Sequence, residues 1–129
     1  MQWQIREDNT IPLNLQVDDV FLLWVKSEVQ HPVIALILPW QNVTLDQESQ
    51  KIWLRELRIL MDAIRAKVRQ QYLKGAKLPK VAEIREQLLS NLVERYLSQH
   101  NADWQLMKDL ESLLDLAIST DSIIYCISS

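Results

Sequence analysis

The chain has 129 residues, one glycine, four prolines and one cysteine, and its net charge at pH 7 is −3. This is the length of a single domain, so we expect residues 1–129 to fold as one unit, and the scarcity of glycine favours helices over tight turns. A lone cysteine excludes an intrachain disulfide, the first residues lack the apolar core of a signal peptide, and no apolar run approaches the ~20 residues of a membrane span. We therefore expect a cytoplasmic protein with no membrane partner.

The charge is distributed unevenly along the chain. Residues 51–85 contain ten basic and three acidic residues, a net charge of +7, so the remaining residues carry −10. A polarised distribution of this kind orients a binding partner without identifying it.

Both ends of the chain have the alternating pattern that is typical of strands. Apolar residues alternate with polar ones around Trp3 and Ile5 and again over residues 11–17, where Pro12 would place the second strand at a sheet edge. The β-branched run 123–127 predicts a terminal strand. Pairing of the first and last strands would place both chain ends on one small sheet.

Two short apolar runs in the first forty residues are ambiguous. Residues 20–29 form either a helix capped by Asp18 or Asp19 or a buried strand, and residues 33–38 allow the same two interpretations. We expect the run 33–38 to be buried in either case.

From residue 44 the spacing of apolar residues predicts a long helix. Thr44 and Gln47 have the spacing of a capping box, and an apolar stripe continues through about eight turns to Tyr72. Gly75 is placed to close the helix in the left-handed conformation.

Two more helices follow. Pro79 suits the first position of the second helix, whose apolar face is wide enough to contact other elements on two sides. Asp103 is the expected cap of the third helix. The fold class is therefore mainly α, with an antiparallel three-helix core over residues 44–118, and with an α+β arrangement as the alternative if the terminal strands form a sheet.

No motif for catalysis, metal binding or cofactor binding is recognisable. His31 precedes a proline, and His100 lies in a predicted loop with only Asp103 nearby as a second ligand, too few for a metal site. The single glycine excludes a glycine-rich phosphate loop. We expect no catalytic residue, no metal and no cofactor.

Five tryptophans are many for this length. Trp3 and Trp40 lie outside the predicted helix stripes, so each is a candidate partner-binding residue, with a core position as the equal alternative.

The charged residues provide two candidate contact sets. The predicted acidic set, which a protein partner would meet, consists of Asp109, Glu111, Asp115, Glu94 and Asp103. The predicted phosphate-contacting set consists of Arg58, Arg65, Arg69, Lys74, Lys77 and Lys80.

These features favour a non-enzymatic domain that binds a partner protein. No family resemblance is recognisable, and the hypothesis is a domain that neutralises its partner in the way that small bacterial immunity proteins and antitoxins do, by analogy of composition alone. The alternative is a helical protein that binds nucleic acid through the basic segment 51–85. Two further interpretations of the basic segment are a solvated face without a partner and a contact with an acidic partner or with the acidic face of a second copy. Contact with a second copy would produce a homo-oligomer.

Overall fold

The computed structural model describes residues 1–6, 13–75 and 77–128. The predicted alternation at Ile11 and Pro12 lies outside these residues. Within them the fold is mainly α with a small antiparallel sheet, which confirms the predicted fold class. In chain order the elements are β1 (Gln2–Ile5), β2 (Leu13–Gln16), α1 (Asp19–Glu28), α2 (Pro32–Ala35), β3 (Val43–Leu45), α3 (Gln47–Gly75), α4 (Ala82–His100), α5 (Trp104–Ser119) and β4 (Ile124–Ile127).

The four strands form one sheet in the order β2-β1-β4-β3, with every neighbouring pair antiparallel. The central strand β1 pairs with the C-terminal strand β4, with Trp3 opposite Cys126, which confirms the predicted pairing of the two terminal strands. Strand β2 lies at an edge, as predicted. Strand β3 was not predicted, because three residues are too few to show a period of two.

The two faces of the sheet differ in polarity. Residues that lie opposite one another across the four strands share a face, and one such row consists of Leu15, Trp3, Cys126 and Val43. The adjacent row on the other face is polar and consists of Asn14, Gln4, Tyr125 and Thr44. The Arg6 guanidinium lies 5.1 Å from the centre of the Tyr125 ring on this polar face.

The two ambiguous runs both form helices. α1 follows Asp18, whose Oδ1 accepts a hydrogen bond from the Val20 N–H at 3.3 Å, so the helical alternative is correct. α2 is a single short turn capped by His31, whose Nδ1 accepts from the Val33 N–H at 3.1 Å. The expectation that the run 33–38 is buried is wrong in part, because Leu36 is 68% exposed. The helix α1 also presents a face to solvent, where Val20 is 71% exposed.

The three long helices α3, α4 and α5 form the predicted core. Their buried stripes consist of Trp53, Leu57, Met61 and Val68 from α3, of Leu89, Val93 and Leu97 from α4, and of Met107, Leu110, Leu114 and Ala117 from α5. The sheet joins this core where the rings of Trp3 and Trp53 pack edge to face, with centroids 5.0 Å apart. Both side chains are fully buried, so the sheet and the helices share one apolar interior.

The start of α3 differs from the predicted capping box. Thr44 belongs to strand β3, opposite Tyr125, and so does not cap the helix. Asp46 takes this position because its Oδ1 accepts a hydrogen bond from the Ser49 N–H at 2.8 Å. This backbone hydrogen bond holds the pKa of Asp46 below its ordinary value. Gln47 instead donates to the carbonyl oxygens of Ala117 and Ser122.

The connection between α3 and α4 also differs from the prediction. Gly75 does not have a positive φ and ends α3 within the helix. Pro79 is not the first residue of α4, which begins at Ala82 after Val81. Residues 77–81 of the connection, which the structure describes, include no left-handed residue. The fixed φ of proline is equally compatible with extended backbone. Asp103 does precede α5 but makes no capping hydrogen bond with its side chain.

Candidate interaction surfaces

Two members of the predicted acidic set are engaged inside the molecule. Glu111 of α5 accepts a hydrogen bond from the Arg58 Nε at 3.2 Å, and Glu94 of α4 accepts one from the Arg65 Nε at 2.7 Å. Asp109 and Asp115 are exposed on α5, where Asp109 accepts a hydrogen bond from Gln105. The predicted acidic face is therefore divided between carboxylates that join helices and carboxylates that face solvent.

Glu94 lies at a junction of all three long helices. Besides the contact with Arg65 of α3, it accepts a hydrogen bond from the buried Trp104 Nε1 of α5 at 3.3 Å. The Arg65 guanidinium lies 4.9 Å from the centre of the Trp104 ring. Partial burial opposes the charge of Arg65, but its hydrogen bonds and attraction to Glu94 and Asp62 raise its pKa above the ordinary value. The charges of Arg65, Glu94 and Asp62 are therefore engaged in contacts within the molecule.

Arg69 and Glu86 form a second link between α3 and α4. Both guanidinium Nη atoms donate to the Glu86 carboxylate, each at 2.7 Å. The hydrogen bonds from Arg69 lower the pKa of Glu86, and the same bonds raise the pKa of Arg69. All three arginines of the predicted phosphate-contacting set thus pair with carboxylates of α4 or α5.

An open groove of about 550 Å³ lies between α3 and α4. Small side chains create it, because Ala66 and Ser90 leave space between the two helices. Arg65 and Arg69 line this groove together with their carboxylate partners. Its cationic groups are therefore already neutralised by neighbouring acids.

The three lysines of the predicted phosphate-contacting set have a different environment. Lys74 lies in the last turn of α3, and Lys77 and Lys80 lie in the connection to α4. All three are exposed, and none forms an ion pair within residues 1–6, 13–75 and 77–128. We call Lys74, Lys77 and Lys80 together the lysine end of the molecule.

An apolar stripe of α4 lies in solvent directly after the lysine end. Val81, Ile84 and Leu88 follow one another at helical spacing and are 57%, 56% and 37% exposed. The opposite stripe, Leu89, Val93 and Leu97, is buried. The wide apolar face predicted for α4 therefore packs on one side only. The spacing of apolar residues predicts both stripes of the helix but does not predict which of the two is buried.

The tryptophans divide clearly between core and surface. Trp3 is fully buried, so the core alternative holds and Trp3 is not available as a surface contact. Trp40 is 64% exposed in the turn after α2. Trp53 and Trp104 are buried and Trp24 is half-buried, which leaves Trp40 as the one exposed tryptophan of the five.

Residues with reactive side chains occupy structural positions. His31 caps α2. The exposed His100 packs near Tyr96, with the centroids of the two rings 4.7 Å apart. Cys126 is buried in the sheet, and burial raises the pKa of its thiol to about 12, so the thiol is protonated at neutral pH. Within the described ranges no three His, Cys, Asp or Glu side chains converge in a way that would hold a metal ion.

Compared with known protein-family models, curated protein sequences and solved structures, the chain gives no significant match. None of the described helices combines the length and the apolar character needed to cross a membrane. The class that the fold defines is a helical domain with a small antiparallel sheet, and its function has to be argued from its surfaces.

Proposed function

We propose that this chain is a non-enzymatic domain that binds and neutralises a partner protein, as small bacterial immunity proteins and antitoxins do. The observation that carries the proposal is the exposure of Trp40. Indole has a large apolar area with few rotatable bonds, so tryptophan is enriched among the residues that dominate binding energy at protein interfaces. An exposed tryptophan in a chain that buries most of its others is well suited to that role.

The neighbouring sequence adds apolar surface to Trp40. Val20, Leu36 and Trp40 are the three most exposed large apolar side chains in the described part of the chain, and all lie within residues 20–40. Exposed apolar side chains are unremarkable when they are scattered singly, whereas a contiguous apolar patch marks an interaction site, and the proposal assigns these side chains to one such patch. Leu23 of α1 is exposed as well.

Only part of the predicted acidic set is available to contact a partner in this proposal. Asp109 and Asp115 face solvent and remain predicted contacts for a basic partner, whereas Glu94 and Glu111 already pair with arginines of α3. Asp103 is half-buried. A cytoplasmic location is part of the same proposal, and its support is the single cysteine, which cannot form an intrachain disulfide.

Site-specific photo-cross-linking in the native host tests the proposal. A photoreactive phenylalanine analogue at position 40 is expected to capture one protein reproducibly, and the same group at the exposed Gln70 of α3 is the control. With that protein purified, Trp40→Ala should weaken binding by about 2 kcal/mol or more, roughly thirtyfold. Ile59→Ala removes an equally exposed apolar side chain elsewhere and should leave affinity unchanged. Equal capture from both positions, or full affinity in Trp40→Ala, contradicts the proposal.

A second candidate function, nucleic-acid binding, is favoured by the lysine end alone. The three arginines of the predicted set are paired, so at most three strong phosphate contacts remain among its six residues. Binding to a labelled duplex should then weaken with a log–log salt slope of about 3, since each phosphate contact contributes roughly 0.9. An absence of binding at low salt excludes this candidate.

A further inference from the structure

The two ends of α3 carry opposite charge. The helix is about 43 Å long at 1.5 Å per residue. The lysine end lies at its C-terminus, with Glu83 of α4 as the nearest unpaired acid in sequence within the described ranges. At the N-terminus, Gln47 donates hydrogen bonds to the carbonyl oxygens of Ala117 and Ser122 and so holds the end of α5 beside the start of α3.

This second end is acidic. Its exposed carboxylates are Asp46, Glu48, Asp115 and Asp121, and we call them the acidic end. They outnumber the two cations of the first turns of α3, Lys51 and Arg55, of which Arg55 pairs with Glu56. The opposite charges are thus separated along the longest element of the molecule.

Each charged end also exposes apolar side chains. Val81, Ile84 and Leu88 follow the lysine end, and Leu116 and Ile123 flank the acidic end. Protein interfaces combine an apolar centre with a polar or charged rim. Both components are present at each end, with opposite sign of charge.

We propose that the lysine end of one copy binds the acidic end of a second copy, with Val81, Ile84 and Leu88 covered by Leu116 and Ile123. The second copy is the occupant because the complementary charge is on the same chain and is present at equal concentration. The two contacting surfaces differ, so each copy keeps one surface free and the assembly grows into a ring or a filament. This inference shares only Asp115 with the proposed function, whose exposed apolar contacts lie within residues 20–40.

Sedimentation velocity of the full chain over a range of concentrations tests the proposal. At about 50 mM salt the average mass should rise with protein concentration, and about 500 mM salt should shift this rise to at least tenfold higher concentration, because salt screens the charged rim. A monomer at every concentration in low salt overturns the proposal.

Charge reversal tests the direction of the contact. Lys77→Glu with Lys80→Glu, and separately Glu48→Lys with Asp115→Lys, should each give a monomer, because every contact then brings like charges together. Mixing the two variants in equal amounts should restore association, since opposite charges can meet again. A mixture that stays monomeric, or either variant associating alone, overturns the head-to-tail contact.

A matched control separates this contact from net charge. Lys67→Glu with Arg95→Glu lowers the net charge by the same amount as Lys77→Glu with Lys80→Glu, but at exposed positions away from both ends. This control should associate as the unaltered chain does. Loss of association in this control overturns the proposal. Val81→Ser with Ile84→Ser should also give a monomer with an unchanged thermal midpoint, because both side chains are exposed. Retained association in that variant overturns the assignment of the α4 stripe.

Discussion

Gln50 is a buried polar residue at the point where the first turn of α3 meets the sheet. Its Nε2 donates to the Leu45 carbonyl of β3 at 2.8 Å and to the Ser122 carbonyl before β4 at 2.7 Å. Replacing Gln50 with Leu keeps the volume but removes the side-chain donor of the buried Leu45 carbonyl, whereas the Ser122 carbonyl retains the hydrogen bond from Gln47. We expect the free energy of unfolding to fall by about 1–3 kcal/mol, the cost of unsatisfied buried groups, as measured by urea denaturation.

Gln70→Leu is the matched control for this prediction, because Gln70 is an exposed residue of the same helix. Surface substitutions of this kind change stability by less than about 0.5 kcal/mol. Equal stabilities of the two variants would show that the Gln50 hydrogen bonds contribute nothing to the fold.

At the scale of the elements, the Glu94 junction joins α3, α4 and α5. Glu94→Ala removes the partner of Arg65 and also leaves the fully buried Trp104 Nε1 without an acceptor. We expect a loss of about 2 kcal/mol in unfolding free energy, most of it from the unsatisfied indole N–H. Glu86→Ala should lose less, because that ion pair with Arg69 is exposed to solvent and no buried group depends on it.

A double-mutant cycle separates the two parts of this loss. In an Arg65→Ala background, the cost of Glu94→Ala should fall only by the coupling between Arg65 and Glu94, and the part due to Trp104 should persist. If the cost vanishes in that background, the indole hydrogen bond does not stabilise the junction.

The same elements show which parts of the fold and of the candidate site were predictable from sequence. The stripes of α3, α4 and α5 and the existence of strands β1 and β4 follow from apolar periodicity, which depends only on local spacing. The cap of α3 was misassigned because Thr44 pairs in a sheet whose partner strand lies eighty residues away in the sequence. Ion pairs such as that of Arg58 with Glu111 were not predictable for the same reason, because they depend on how the helices pack.

The division of side chains between core and surface shows most clearly what local sequence does not predict. Trp3 and Trp40 have equally polar neighbours in sequence, yet Trp3 packs on Trp53 and Trp40 lies in solvent. The exposed stripe of α4 and its buried stripe both consist of aliphatic residues, so composition does not distinguish them. Which of the two is covered depends on where α3 and α5 lie, and this is tertiary information.

On the scale of the whole molecule, two carboxylates that accept hydrogen bonds within the fold make its stability dependent on pH. Hydrogen bonds from Arg69 of α3 lower the pKa of Glu86 of α4 below its ordinary value, and the Ser49 N–H lowers the pKa of Asp46 in the same direction. A carboxyl group whose pKa is lower in the folded state stabilises the fold above its unfolded pKa and loses this contribution as pH falls through the folded value. We therefore expect the free energy of unfolding to decline below about pH 4.5.

Glu86→Gln tests this origin of the acid dependence, because it retains a hydrogen-bond acceptor for Arg69 and removes the titrating group. Urea denaturation at pH 7 and at pH 3 should show a smaller difference for this variant than for the unaltered chain. Glu83→Gln is the control, since Glu83 is exposed on the same helix and forms no ion pair within the described ranges. It should retain the full dependence on pH. If Glu83→Gln and Glu86→Gln respond identically, acid acts through net charge, and the contact between α3 and α4 at Arg69 is not its source.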